Sequence, residues 1–242
     1  MIPKIIHYCW FGRNPLPESA KKCINSWRKY LPDYEIKEWN EDNFDVNIIP
    51  YTKEAYEAKK YAFVSDYARF WILYKYGGLY FDTDVEVIKP MDDIIKRGPF
   101  MGIEVSSSNG SYPLVNPGLG IGAEISMIFY KEMLEKYGTI HFILPDGSLR
   151  QNTIVEYTTN MLKKHSLQPS NGTQFIQDIW IYPKDYFNPF DDLTGKLDIT
   201  ENTRSIHWYS KTWIPQNPLR QWLSRMSHRV FGLALHNLLR KK

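Results

Sequence analysis

The sequence predicts an α/β domain, a single Rossmann-like sandwich with a mainly parallel central sheet. Two observations carry that expectation. Short β-branched stretches alternate with stretches of helical period, and a glycine pair separates the longest helical stretch from a short apolar strand. A chain of 242 residues without repeats or low-complexity linkers suits one large domain better than two.

The elements follow in order. Ile2 to Phe11 is apolar and β-branched and reads as a buried strand. Asn14-Pro15-Leu16-Pro17 turns the chain into a helix over 18–30, which closes near Leu31-Pro32-Asp33. Tyr34–Trp39 alternates as a second strand, and Asn40-Glu41-Asp42-Asn43 is a polar loop. From Thr52 to Tyr76 the period is helical, in two segments, with Val64, Tyr67, Ala68, Trp71 and Tyr74 on one buried face. Gly77-Gly78 caps it, and Leu79-Tyr80-Phe81 is a strand that runs into Asp82-Thr83-Asp84. Strands are also expected at Phe100–Val105 and Arg204–Tyr209, helices at Ile125–Tyr137 and Leu149–Lys164, and a polar surface loop over 106–118.

Composition narrows the function. Six of the 30 basic residues follow Pro218 with no acidic residue among them, so the body before it holds 24 basic against 27 acidic residues. A body with negative net charge argues against nucleic acid as a partner, which needs a broad positive surface. The two cysteines, Cys9 and Cys23, lack metal-ligand spacing and read as free thiols of a reducing compartment. The N-terminus has no basic-then-apolar leader, and no apolar run reaches the ~18–20 residues that span a bilayer, so a cytoplasmic protein is expected.

The chemistry concentrates at Asp82-Thr83-Asp84. In extended chain, residues i and i+2 share a side, so both carboxylates can converge on one hard cation, Mn²⁺ or Mg²⁺, that also meets substrate phosphates. Ligands of α/β sheets bind at strand ends. A lone DxD more often marks a solvated turn. Upstream, Asp66 and Arg69 stand three residues apart on a helix, where the bland alternative is a surface ion pair.

Taken together, Ser65-Asp66-Tyr67-Ala68-Arg69 and Tyr76-Gly77-Gly78-Leu79-Tyr80-Phe81-Asp82-Thr83-Asp84 resemble the DxD sugar-binding signature of the family 32 glycosyltransferases. That family includes the capsular-polysaccharide type, and its core is similar to that of the clostridial glucosylating toxins. Ile5-Ile6-His7-Tyr8-Cys9-Trp10-Phe11-Gly12 is similar to the family's opening strand. The resemblance is strong over residues 1–90 and patchy beyond.

The resemblance implies a GT-A fold and retaining hexosyl transfer from a UDP-sugar, galactose or N-acetylgalactosamine favoured, to a growing or lipid-linked glycan. It implies Trp10 against the base, Ser65, Asp66, Arg69 and Tyr80 around the donor sugar, Asp82 on ribose and sugar hydroxyls, and Asp84 on the metal, with Mn²⁺ favoured. The His207…Trp213 stretch looks like the family's C-terminal segment, which offers His207 to the metal and Lys211 to the departing diphosphate. Asn116, in Asn116-Pro117-Gly118, is an acceptor-side candidate or part of a Pro-Gly turn, and Asp146-Gly147 is open in the same way. A nucleotide-sugar hydrolase and a non-catalytic sugar-binding module are the competing functions.

Residues 1–218 thus form the expected catalytic domain, and 219–242 a basic amphipathic helix that either touches an anionic membrane from the cytoplasmic face or packs on protein. In the first case the full chain floats with anionic liposomes and a chain ended at residue 218 does not. Equal partitioning of the two excludes membrane contact.

Overall fold

Strand β1 (Ile5–Cys9) opens the fold, followed by α1 (Glu18–Tyr30) and β2 (Glu35–Trp39), in a computed structural model that describes residues 1–210. Lys211 and the segment 219–242 lie outside the described residues. Helix α1 buries Ala20, Cys23, Ile24 and Trp27, a single stripe at three- and four-residue steps. Glu18 in its first turn and Arg28 and Lys29 in its last complement the helix dipole.

The expected helical region 52–76 forms two helices, α2 (Pro50–Glu57) and α3 (Tyr61–Tyr76). Helix α3 is buried on more than the predicted face: Asp66, Arg69, Phe70, Ile72 and Leu73 are buried as well, whereas Trp71 and Tyr74 are only half-buried. It is an inner helix, wrapped by α2 and by α5 (Ile128–Gly138).

Past α3 come β3 (Gly78–Tyr80), β4 (Val85–Val87), α4 (Asp92–Arg97) and β5 (Phe100–Val105). The expected loop 106–118 ends in a strand, β6 (Leu114–Asn116), that folds back on β5, and β7 (Ile121–Ala123) follows. After α5 the chain forms α6 (Ile154–Lys164), the hairpin β8 (Gln174–Ile176) and β9 (Ile179–Tyr182), and α7 (Lys184–Phe187). A small hairpin, β10 (Phe190–Asp191) with β11 (Lys196–Leu197), precedes β12 (Ser205–His207). These late strands are two to four residues long, too short to show an alternating pattern.

The sheet runs β2-β1-β3-β7-β5-β9-β8, with β6 also on β5. Strands β2, β1, β3, β5 and β9 point one way, because β7 is antiparallel to both β3 and β5; five of the eight strands are therefore codirectional. One apolar core lies on each face. Leu79 and Phe81 point into one and Tyr80 into the other, so the strand alternation aims Tyr80 at α3. Strand β12 pairs with β4 alone, outside the main sheet. Cys9 and Cys23 are free, buried thiols, and no helix among the described residues is long and apolar enough to cross a membrane.

Gly77 and Gly78 join α3 to β3 with φ of +61° and +96°. A Cβ on Gly78 would sit 2.6 Å from the Ile5 carbonyl oxygen, so only glycine lets β3 dock here against β1. His7 ties the same junction. Its Nδ1 accepts from Trp39 Nε1 at 3.1 Å, and its Nε2 donates to the Gly77 carbonyl at 3.0 Å. Both ring nitrogens are committed, and burial lowers the imidazole from 6.5 to about 4, against the pull of the Gly77 carbonyl.

The folded state thus disfavours the imidazolium. The stabilisation by His7 is whole above about pH 6.5 and is lost as pH falls towards about 4. Chemical denaturation of the wild type and His7→Gln should show a stability difference that grows by about 3 kcal/mol between pH 4 and pH 7. A pH-independent difference would contradict this role.

Candidate active site

Strands β1, β3 and β6 deliver their C-terminal ends to a cleft of about 680 Å³. It is lined by Trp10, Phe11, Asn14 and Pro15 after β1, by an acidic and basic floor of Asp66, Arg69, Asp82 and Asp84 with Ser65 and Tyr80, and by Asn116, His207, Tyr209 and Ser210 from later in the chain. The site residues expected from the sequence border this one cleft, apart from Asp146 and from Lys211, which lies outside the described residues.

The floor is built on a buried cation. Arg69 Nη2 meets Asp66 Oδ1 at 3.1 Å and Asp82 Oδ1 at 3.2 Å, Nη1 donates to Asp82 Oδ2 at 3.3 Å, and Nε donates to the Ser65 carbonyl at 3.2 Å. The Tyr80 ring lies under the guanidinium at 4.8 Å, and its hydroxyl donates to Asp82 Oδ1 at 3.1 Å. The bland alternative of a surface ion pair does not hold, since the Arg69 side chain is only 4% exposed. Desolvation pushes the Asp66 carboxyl up to about 7, although Arg69 beside it pulls the other way.

Asp82 and Asp84 do not share a side of an extended strand, as expected from their spacing. They sit in a turn between β3 and β4, closed by the Val85 N–H donating to the Asp82 carbonyl at 3.0 Å. The turn points Asp82 at Arg69 and Asp84 at the β12 segment. Asp84 Oδ1 lies 3.1 Å from His207 Nε2, and Oδ2 accepts from the Ser210 N–H at 2.8 Å and from Ser210 Oγ at 3.1 Å. Burial works against the charge of Asp84, yet His207 and Ser210 hold its carboxyl well below the usual carboxylate range. His207 is raised in turn: burial opposes its charge, and Asp84 more than offsets that. Ligating atoms of Asp82, Asp84 and His207 all lie within 4.8 Å of one another. Two hard carboxylate oxygens and an imidazole nitrogen so grouped suit Mn²⁺ or Mg²⁺.

Asn116 ends β6, and its Oδ1 accepts the Gly118 N–H at 2.6 Å. Asn116 lines the cleft and is otherwise buried. Gly118 leans on the floor so closely that a Cβ would lie 2.2 Å from Asp82 Oδ2. The Pro-Gly turn and the site contact are therefore one feature. Trp10 Nε1 donates to the Asn14 carbonyl at 2.6 Å, which holds the indole at the rim. Asp146 caps its own turn through the Ser148 N–H and hydroxyl and does not border the cleft. Sequence reasoning passed over Tyr209, Ser210, Glu104 and Asn188; only closeness to His207 pointed to the first two.

Residues 17–101 match the family described as a glycosyltransferase sugar-binding region containing a DXD motif. Over those residues the chain is similar to the DXD-containing glycosyltransferases, in line with the resemblance to family 32. Inositol phosphoceramide mannosyltransferase 1 of Schizosaccharomyces pombe is 31% identical over 111 residues, 41% of this chain and 33% of that protein. An uncharacterized glycosyltransferase of Acanthamoeba polyphaga mimivirus is 27% identical over 198 residues, 78% of this chain and 76% of its own. The chain spans a third or less of the length of the yeast mannosyltransferases 1 and 3 that it matches. In fold it is similar to a glycosyltransferase involved in glycosylation of the major capsid of PBCV-1, with a TM-score of 0.50 and 14% identity over 86% of this chain and 95% of that one. The fold is GT-A.

The buried floor makes a stability prediction. Arg69→Leu leaves Asp66 and Asp82 without their shared cation and should cost about 3–5 kcal/mol by chemical denaturation. Adding Asp66→Asn to that variant should restore part of the loss. A cost under about 1 kcal/mol, typical of a surface pair, would contradict the burial argument.

Proposed function

We propose that the chain transfers a hexose from a nucleoside diphosphate sugar to a hydroxyl of a growing polysaccharide or lipid-linked glycan, with Mn²⁺, or else Mg²⁺, as cofactor. The observation that carries this reading is the grouping of Asp82, Asp84 and His207 on the floor of the cleft, beside the Arg69 fork. Asp84 and His207, with Asp82, hold the cation. When bound, that ion offsets the charge that builds on the leaving diphosphate.

The chain's own residues do the rest. Trp10 offers its ring at the rim to the base of the nucleotide. Asp66, Asp82, Ser65 and Arg69 provide charged and polar partners for donor hydroxyls, and hydrogen bonds to ionised groups are the strong ones. Lys211 is assigned to the departing diphosphate by sequence alone. Asn116 is assigned to the acceptor side.

Both oxygens of Asp82 are engaged, Oδ1 by Tyr80 and Arg69 and Oδ2 by Arg69, which makes it a poor covalent nucleophile. Retention of configuration by attack of the acceptor on the face the diphosphate leaves is the mechanism this favours.

UDP-galactose and UDP-N-acetylgalactosamine are the first donors to test. A second reading, GDP-mannose, is favoured by the mannosyltransferase names of the yeast relatives. We place the enzyme in the cytoplasm, acting at or near the inner face of the membrane.

Asp84→Asn should keep the fold and lose at least ~10²-fold in turnover. A chelator should silence the wild type and Mn²⁺ restore it. Product analysis with and without a glycan acceptor separates transfer from hydrolysis. Undiminished turnover of Asp84→Asn, or release of free sugar alone, would overturn this reading.

A further inference from the structure

The arm that carries His207 and Ser210 is not strand-paired with the main sheet. Strand β12 pairs with β4 alone, with His207 opposite Val85, and the arm must then turn back to place Ser210 on Asp84. The turn falls on Tyr209, whose φ is +50°, a left-handed conformation that a bulky L residue adopts only when its surroundings enforce it.

Those surroundings are specific. The Tyr209 hydroxyl donates to Glu104 Oε1 at 2.8 Å and accepts from Asn188 Nδ2 at 2.8 Å. The same Asn188 nitrogen donates to the Glu104 backbone carbonyl at 3.2 Å, which anchors the group to β5. Asn188 is 2% exposed. The Tyr209 ring in turn packs against the His207 ring, with centroids 4.2 Å apart.

We propose that Glu104, Asn188 and Tyr209 form a latch that holds the His207–Ser210 arm in the geometry the cation needs. They are positioning residues: the latch acts through His207 and through the hold of Ser210 on Asp84. The inference rests on the proposed cation site and adds to it three residues from β5, the end of α7 and the arm. Without the hydroxyl anchor the left-handed turn loses its tie to β5, and the arm past His207 is left with Trp208 and Ser210 to hold it on the acidic turn.

The test measures Mn²⁺ binding by the full chain with UDP present, from the electron paramagnetic resonance signal of free Mn²⁺, alongside metal-free thermal unfolding and the Mn²⁺ dependence of turnover. Tyr209→Phe keeps the ring against His207 and removes the anchor. It should weaken Mn²⁺ binding about 10-fold, with the metal-free unfolding midpoint and turnover at saturating Mn²⁺ little changed. Glu104→Ala should reproduce that loss, and Glu104→Gln, which keeps an accepting oxygen, should bind Mn²⁺ like the wild type. Unaltered Mn²⁺ affinity in Tyr209→Phe overturns the latch, as does a Glu104→Gln variant as weak as Glu104→Ala. A wild type that binds no Mn²⁺ overturns instead the cation site on which the latch rests.

Discussion

Three carboxylates, Asp66, Asp82 and Asp84, crowd the floor of one cleft, and like charges at such range in a desolvated site cannot all stay ionised without counter-charge. The fold splits the problem in two. Arg69 sits between Asp66 and Asp82, and His207 with Ser210 faces Asp84. Much of the architecture around the site serves this partition. The α3–β3 junction, closed by Gly77-Gly78 and His7, brings Arg69 over Tyr80 and aims the strand at the acidic turn. The absence of a side chain at Gly118 leaves room for the Asp82 carboxylate.

The two halves of this site come from different parts of the chain. The matched sugar-binding region, residues 17–101, contains α1 through the start of β5 and so supplies Asp66, Arg69, Asp82 and Asp84. Asn116, Gly118, His207 and Ser210 come from beyond it. A cleft with only the first half would hold an acidic turn against one arginine. The second half adds the imidazole and a second set of donors to Asp84, which turns an acidic cluster into a candidate metal site.

The first half was legible in the sequence because its signals are local. Helical period, paired glycines and the order of Asp66, Arg69, Asp82 and Asp84 each report on a few neighbouring residues. Strands were expected at β1, β2, β3, β5 and β12, where an apolar or alternating stretch marks them, and missed at β4, β7 and the β8–β9 hairpin, which are three or four residues long. Asp82 and Asp84 were expected to share a side of extended chain, whereas a turn closed by Val85 aims them at different partners. Tyr209 gave no signal beyond its closeness to His207, since its hydroxyl meets Glu104 and Asn188, distant residues that only the fold brings to it.

The most direct measurement of the central claim is the anomalous diffraction of crystals grown with Mn²⁺ and UDP. A manganese peak within bonding distance of Asp84 and His207, adjoining Asp82 and the UDP pyrophosphate, is the expected result. Bound UDP with no manganese at that position, or manganese held elsewhere, would contradict it.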